Sequence, residues 1–226
     1  RGDNTFYHTW KNNTPKHFAF LDDYSYLIAA LIELAQCTTN YAYLYKAKAI
    51  TEEVLKGFAD LESPFFFYTH VAQTDILLRK KEIYDGATPS GNAVMAINLY
   101  LLSIIFDQPE WRERAEKMLL ALGEVSIKYP TSFGVWLALL FQMVNGTNEI
   151  AVVGEESNGF LTKILKTYMP HKVIMASSNG LEEFPLLQDK VVAPSKTLIY
   201  LCKNYACRQP VSSFEELKEQ LNLNNF

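Results

Sequence analysis

The chain has 226 residues, 49% of them hydrophobic, which is enough to form one large domain or one domain with a small appendage. Its formal net charge is −4, and Lys and Arg are not concentrated in one stretch, so it lacks the basic footprint of a nucleic-acid-binding protein. Three cysteines, Cys37, Cys202 and Cys207, are too few for a disulfide-stapled secreted scaffold and favour a reducing compartment.

Apolar runs are too short for a membrane span. The longest, Ala93–Phe106, is interrupted by Asn98 and Ser103 and falls short of the roughly 18 residues that a spanning helix needs. We therefore expect a cytoplasmic protein with no membrane partner and no nucleic-acid partner. The first predicted helix begins only after Leu21, behind an irregular polar and aromatic stretch, and we expect the chain to be part of a longer protein.

Helical periodicity predicts buried and half-exposed helices in alternation. A helix capped by Asp22 or Asp23 runs to about Cys37 and is apolar on nearly every face. The next, about Tyr41–Leu61, has one apolar stripe and one charged face. After a linker, the alternation continues in three further predicted helices, which are Ser90–Phe106 (buried), Pro109–Lys128 (half-exposed) and Ser132–Val144 (buried).

This alternation favours two nested layers of helices. An up-and-down bundle would make every helix amphipathic to a similar degree, whereas inner and outer rings produce buried and half-exposed helices in turn. We therefore predict a mainly α fold with part of an (α/α)6 toroid over residues 1–148. A helical solenoid is the alternative, although no strict repeat period is visible.

From about Glu149 the pattern changes to short apolar runs. Three β-branched or apolar stretches are predicted to be strands, and two longer segments are predicted to be helices. The predicted strands are Ile150–Val153, Lys172–Ala176 and Thr197–Cys202, and the predicted helices are Phe160–Tyr168 and Phe214–Leu221, the latter capped by Ser212 or Ser213. Residues 149–226 are therefore predicted to form a small α/β subdomain.

Four sequence blocks resemble the spermatogenesis-associated protein 20 family in the same order along the chain. They are FLDDYSYLIAALIEL (Phe20–Leu34), RKKEIYDGATPSGNAVMAINLYLL (Arg79–Leu102), EIAVVG (Glu149–Gly154) and YLCKNYACRQPVSSFEEL (Tyr200–Leu217). The second block is long and specific. The resemblance implies the C-terminal portion of a protein with a thioredoxin-like domain followed by a toroid similar to N-acylglucosamine 2-epimerases and six-hairpin glycosidases.

That resemblance also implies partners. The expected partner is the missing N-terminal half of the same protein, with the thioredoxin-like domain and the first toroid half, or a second copy of the chain. Half a toroid would expose apolar helices at one edge, and large apolar patches are rare on monomers.

In such a toroid, the loops that enter inner helices line the cavity. Two of these loops are rich in polar groups, so we predict Asp22 or Asp23 opposite Glu82 or Asp85 as a pair of catalytic carboxylates for glycoside chemistry. The predicted ligand-binding residues in the same loops are His17, Tyr24, Arg79, Lys80, Tyr84, Ser90 and Asn92. The competing interpretation is that these Asp, Ser and Asn residues only cap helices.

Other chemistry-bearing residues give weaker signals. A structural role is favoured for His17 and His70 over the acid–base role that an epimerase needs. Cys202 and Cys207 lack the second pair of a zinc site, and they can pair with each other only if their Cα atoms lie within about 7 Å. No phosphate-binding loop is present, so we expect no cofactor and no metal.

Two functions remain as hypotheses. The first is a toroid that binds or processes a carbohydrate-like small molecule, as a glycosidase or sugar epimerase would, through paired carboxylates. The second is a non-catalytic scaffold that partners a thioredoxin-like domain, with its carboxylates used in helix caps.

Overall fold

The computed structural model describes residues 5–180 and 183–222, which divide into two compact units. Unit 1 comprises Arg1–Glu33, Tyr41–Ser103 and Gln108–Phe141, and unit 2 comprises Leu34–Asn40, Ile104–Asp107 and Gln142–Phe226. The division proposed at residue 148 stays a prediction. Within the described residues, no helix is long and apolar enough to cross a membrane.

Unit 1 begins with a β-hairpin and continues with helices. Strands β1 (Tyr7–Lys11) and β2 (Thr14–Phe18) pair antiparallel. The helices that follow, some of which end in unit 2, are α1 (Leu21–Thr38), α2 (Ala42–Gly57), α3 (Gly91–Phe106), α4 (Pro109–Leu122), α5 (Val125–Lys128) and α6 (Gly134–Asn145), with a 3-10 turn at Pro130–Ser132.

The core of unit 1 contains several large aromatic residues. Phe58, Phe66 and Trp136 are completely buried. The Trp136 indole N–H donates to the carbonyl of Ile83 at 2.9 Å, which ties α6 to the segment before α3. That segment was interpreted as a linker, yet Phe66 shows that it supplies core residues.

Predicted helix boundaries hold where a local signal marks them. Pro109 starts α4, as a first-turn proline does. The predicted helix Pro109–Lys128 is in fact two helices, α4 and α5. Gly123 ends α4, because its φ of 54° is not helical and its N–H donates to the carbonyl of Leu120.

Unit 2 carries a mixed four-stranded sheet. Its strands are β3 (Asn148–Gly154), β4 (Lys172–Ser177), β5 (Thr197–Lys203) and β6 (Ala206–Cys207), in the order β4-β3-β5-β6. Strand β3 pairs parallel with β4 through the crossover helix α7 (Ser157–Leu165) and antiparallel with β5. The three predicted strands and both predicted helices of this region are confirmed at the level of elements.

Local packing explains the unit 2 elements. Ile150, Ile174 and Ile199, one from each of three neighbouring strands, are fully buried in one apolar cluster with Ile164 of α7. Helix α8 (Phe214–Gln220) starts with a capping box, in which Ser213 Oγ accepts from the Glu216 N–H at 3.2 Å while the Glu216 carboxylate accepts from the Ser213 N–H at 3.0 Å.

The prediction of a mainly α, (α/α)6-toroid fold is wrong. Among the described residues 46% are helical and 16% lie in strands, and the two sheets do not fit a nearly pure α class. The alternation of buried and half-exposed helices reports how many faces of each helix are covered. It does not report what covers them, and in unit 1 the segment between α2 and α3 supplies fully buried side chains such as Phe66.

Candidate functional site

The starts of α1 and α3 approach each other closely in unit 1. The Asp22 carboxylate, in the first turn of α1, accepts a hydrogen bond from the backbone N–H of Gly91, the first residue of α3. A Cβ at position 91 would overlap Asp22 Oδ1 and would lie 3.0 Å from the Asp22 backbone nitrogen. Glycine therefore allows the starts of these two helices to approach each other closely.

Asp22 is a carboxylate whose ionised form is disfavoured. Burial raises its pKa above the ordinary value, the hydrogen bond from Gly91 opposes this, and the negative charges of Glu82 and Asp23 add to the increase. Glu82 comes from the segment before α3 and its side chain is exposed. Asp22 and Glu82, which the sequence proposed as opposing partners, are near enough for the charge of Glu82 to raise the pKa of Asp22, while their role as a catalytic pair stays a prediction.

Tyr68 lies beside the same carboxylates. Burial and the charges of Asp22, Glu82 and Asp23 raise the pKa of Tyr68 to about 12. Its ring stacks on Phe20 with centroids 4.8 Å apart. Its backbone is fixed on both sides, because its carbonyl accepts from the Leu21 N–H at 2.9 Å and its N–H donates to the Lys80 carbonyl at 2.7 Å. The phenol therefore stays protonated at neutral pH, and its O–H is able to donate a hydrogen bond.

Tyr26, which lies in α1 itself, is the fourth side chain of this group. Its hydroxyl donates to the carbonyl of Pro89 at 2.7 Å. Burial raises its pKa, a hydrogen bond with Thr88 lowers it, and Asp22 and Asp85 raise it further. Below, the Asp22 cluster means Asp22, Glu82, Tyr26 and Tyr68.

Asp23 and Asp85 are engaged with helix starts. Asp23 Oδ2 accepts from the Phe20 N–H at 2.8 Å and from Nδ1 of His8 at 2.8 Å. Asp85 accepts from the Ser90 N–H at 3.0 Å through one oxygen and from the Val135 N–H at 2.9 Å through the other. Asp85 therefore joins the starts of α3 and α6, as the capping interpretation expects. A catalytic role for either residue stays a prediction.

Asn92 and Ser90 also serve the backbone. Asn92 is fully buried, accepts from the Phe66 N–H at 2.8 Å, and donates to the carbonyls of Phe66 and Glu82 at 3.0 and 2.9 Å. Ser90 Oγ accepts from the Ala93 N–H at 3.2 Å, which is an N-cap bond. Asn92 thereby positions the Glu82 backbone next to Asp22.

The remaining predicted ligand residues lie in other surroundings. Tyr24 is a core residue whose hydroxyl accepts from the Phe6 N–H at 3.1 Å. Arg79 donates to the Thr69 carbonyl at 2.6 Å and lies over the Phe67 ring.

His17, Lys80 and Tyr84 are exposed. His17 lies in β2, and the backbone carbonyl of Lys80 accepts a hydrogen bond from the Tyr68 N–H. The Tyr84 ring packs against the Phe133 ring, with centroids 5.2 Å apart. Their predicted role in binding a ligand stays a prediction.

Sequence reasoning missed Tyr68 and Tyr26. Tyr68 lies in the run Phe65–Tyr68, which was interpreted as part of a linker. Four consecutive aromatic residues are too apolar for a solvated linker, and this composition was the signal that marked the segment as buried. In the described part of the chain, no group of three or more His, Cys, Asp and Glu side chains is placed to hold a metal ion.

Comparison with known proteins supports the four sequence blocks. The rat and human proteins named spermatogenesis-associated protein 20 are each 24% identical to the chain over 223 residues, which is 94% of the chain. The chain is thus similar to spermatogenesis-associated protein 20 over nearly its whole length. An uncharacterized protein of Caenorhabditis elegans is 25% identical over 211 residues. No family profile matches the chain.

The relatives are much longer than the chain. The matched region is only 28% of the length of each of these relatives. The predicted resemblance is thus confirmed, while the assignment to a C-terminal portion stays a prediction.

Proposed function

We propose that the Asp22 cluster binds a small, hydroxyl-rich molecule of the carbohydrate type. The observation that carries this proposal is a group of two carboxylates and two tyrosines near the start of α1, in which the charge of Asp22 acts on both tyrosines and the charge of Glu82 acts on Asp22 and Tyr68. Carboxylates and phenols accept from and donate to neighbouring hydroxyl groups of a sugar. Glu82 and Tyr26 are exposed, so a solute reaches the cluster from solvent.

The charges of the cluster favour a neutral ligand over an anionic one. Burial raises the pKa of Tyr68 most, and the charges of Asp22, Glu82 and Asp23 raise it further, so their negative potential also opposes an anionic ligand. The stacked rings of Phe20 and Tyr68 supply an aromatic surface next to the carboxylates.

The same pair supports acid–base chemistry within this proposal. Asp22, whose pKa is raised, acts as the proton donor, and the exposed Glu82 acts as the carboxylate base. A carboxyl group with a raised pKa beside a second carboxylate is an arrangement that glycoside hydrolysis uses. Sugar epimerisation is the other reaction that such an acid–base pair serves.

The test is a glycan array, followed by calorimetry on any sugar that binds, with the full chain and three variants. Glu82→Gln and Tyr68→Phe remove one charge and one hydroxyl, and each should weaken binding by about 30-fold, which corresponds to about 2 kcal/mol for a hydrogen bond to a charged group. Glu110→Gln is the control, since Glu110 is also an exposed glutamate and lies outside the Asp22 cluster.

Equal binding by all three variants, or binding of an amine instead of a sugar, would contradict the carbohydrate proposal. Absence of any binding would favour the scaffold function. One observation supports that second candidate already: Asp23, Asp85 and Asn92 are all hydrogen-bonded to backbone groups. In that case we propose that the chain presents a thioredoxin-like domain of a longer protein, or a second copy, to its partners.

A further inference from the structure

Strands β5 and β6 of unit 2 form a hairpin that contains a disulfide. Cys202 and Cys207 are directly opposite each other in the antiparallel pair, with Cα atoms 3.9 Å apart, and their sulfurs are bonded. The sequence had left open whether these cysteines meet. A chain with three cysteines in 226 residues is not a disulfide-stapled scaffold, so this single bond needs another explanation.

The hairpin is held by contacts other than the disulfide. The buried Glu149 carboxylate accepts from the turn N–H groups of Asn204 and Tyr205 at 2.8 and 2.9 Å. The Tyr205 hydroxyl donates to the carbonyl of Ile104 at 2.7 Å. Opening the disulfide therefore leaves the two sulfurs facing each other across a fixed turn.

The bond adds little as a staple. It closes a loop with only four residues between the cysteines, and short loops gain the least from a covalent link. Because the loop is so short, the disulfide removes less unfolded-state entropy than one that closes a long loop, and Glu149 also holds the β5–β6 turn in the folded state. A structural role alone does not account for this disulfide.

The two sulfurs differ in access. Cys207 lies on the exposed edge strand β6, whereas Cys202 is 1% exposed. A cavity of about 310 Å³ is lined in part by Cys202, Lys203 and Arg208. Lys203 Nζ and Arg208 Nη1 donate to neutral backbone carbonyls, of Asn145 and Gln220, so neither of these bonds cancels their charge. Nearby cations favour thiolates.

We propose that Cys202–Cys207 is a thiol–disulfide exchange site whose co-substrates are dithiols. A dithiol attacks Cys207 Sγ as its thiolate and forms a mixed disulfide, while the Cys202–Cys207 bond breaks and Cys202 leaves as a thiolate that takes up a proton. The second thiol of the dithiol then attacks the mixed disulfide and releases Cys207. Two electrons and two protons pass to the cysteine pair, and the dithiol becomes a disulfide.

The test uses the full chain with Cys37→Ser, so that only the pair reacts. The protein is incubated with dithiothreitol or with oxidised glutathione, quenched with acid, alkylated and weighed by mass spectrometry. Two added alkyl groups are expected after dithiothreitol and none after oxidised glutathione, reversibly over repeated cycles. Urea unfolding of the reduced form should stay cooperative, because Glu149 and Tyr205 keep the hairpin in place.

A second measurement identifies the attacked sulfur. In the absence of urea, Cys207 in Cys202→Ser should be alkylated at least tenfold faster than Cys202 in Cys207→Ser, with Cys37 of the double variant Cys202→Ser/Cys207→Ser as the exposed reference. If a single variant does not fold, peptide mapping of the glutathione adduct in Cys37→Ser reports the same site. A pair that is reduced only in urea, reduction that unfolds unit 2, or adducts on Cys202 would each overturn the proposal. Since the pair lies in unit 2, none of these results bears on the Asp22 cluster.

Discussion

Replacing Gly91 by alanine tests the close approach of α1 and α3 directly. The new Cβ would overlap Asp22 Oδ1 and lie 3.0 Å from the backbone nitrogen and 3.2 Å from the Cα of Asp22. The carboxylate can rotate away, although this breaks its bond to the Gly91 N–H. The two backbone atoms cannot rotate away, so the helix starts must separate.

The expected cost follows from two opposing terms. Overpacking of this kind typically destabilises a protein by about 1–3 kcal/mol. Alanine is a better helix residue than glycine by up to about 1 kcal/mol, and less than this at the first position of a helix. We therefore expect Gly91→Ala to lower the free energy of unfolding by about 1–2 kcal/mol, which shifts a urea midpoint by about 0.5–1 M.

Gly134→Ala is the matched control. Gly134 is the first residue of α6, as Gly91 is of α3, and a Cβ there meets nothing within 4 Å. This variant should be neutral or stabilised by up to about 1 kcal/mol. All three tryptophans of the chain, Trp10, Trp111 and Trp136, lie in unit 1, so tryptophan fluorescence in urea follows this unit selectively. Equal midpoints for the two variants would refute the close approach.

Three further predictions concern the same region. Asn92→Ala should lower the free energy of unfolding by about 3 kcal/mol in the same urea assay, because it leaves the Phe66 backbone and the Glu82 carbonyl without their bonds; a loss below 1 kcal/mol would argue against this network. Asp85→Ala should cost about 1–2 kcal/mol, since two helix starts lose their acceptor, and a neutral effect would contradict the bridge between α3 and α6. Asp22→Asn should gain stability relative to the wild type as the pH rises. The folded-state pKa of Asp22 is raised, so its contribution is fully present below the unfolded value near 3.8 and is lost as the pH rises through the folded value. Urea unfolding from below pH 3.8 to neutral pH measures this difference, and a constant or falling difference would count against it.

Elements with a strong local signal could be predicted from the sequence. The helices from Leu21, Ala42, Gly91 and Pro109 follow apolar stripes at helical spacing, and the unit 2 strands follow β-branched runs. The β1–β2 hairpin escaped prediction because its residues are mostly exposed and show no apolar alternation. Its turn depends on Asn12 and Asn13, both with positive φ, and asparagine tolerates that conformation in many kinds of loop.

The candidate site was predictable only in part. The polar blocks before α1 and α3 located Asp22 and Glu82, because helix starts that carry carboxylates are visible in the sequence. The sequence does not show which of the carboxylates accept hydrogen bonds from backbone N–H groups. Which carboxylates are bound depends on two tertiary contacts. The Val135 N–H at the start of α6 donates to Asp85, and the β1–β2 hairpin places His8 within hydrogen-bond distance of Asp23. Both are contacts between residues far apart in the chain.

The ligand-binding and the helix-capping interpretations of the polar loops therefore apply to different residues of the same loops. Asp85 and Asn92 bind backbone groups of neighbouring segments, so their replacement should change stability. Glu82 is exposed, and its position comes from its own carbonyl, which Asn92 holds, and not from its side chain. Glu82→Gln should thus leave the urea midpoint unchanged while it alters any ligand affinity. Because the same amide that supports the fold also fixes the Glu82 backbone beside Asp22, loss of ligand binding in Asn92→Ala is not informative, whereas loss in Glu82→Gln is.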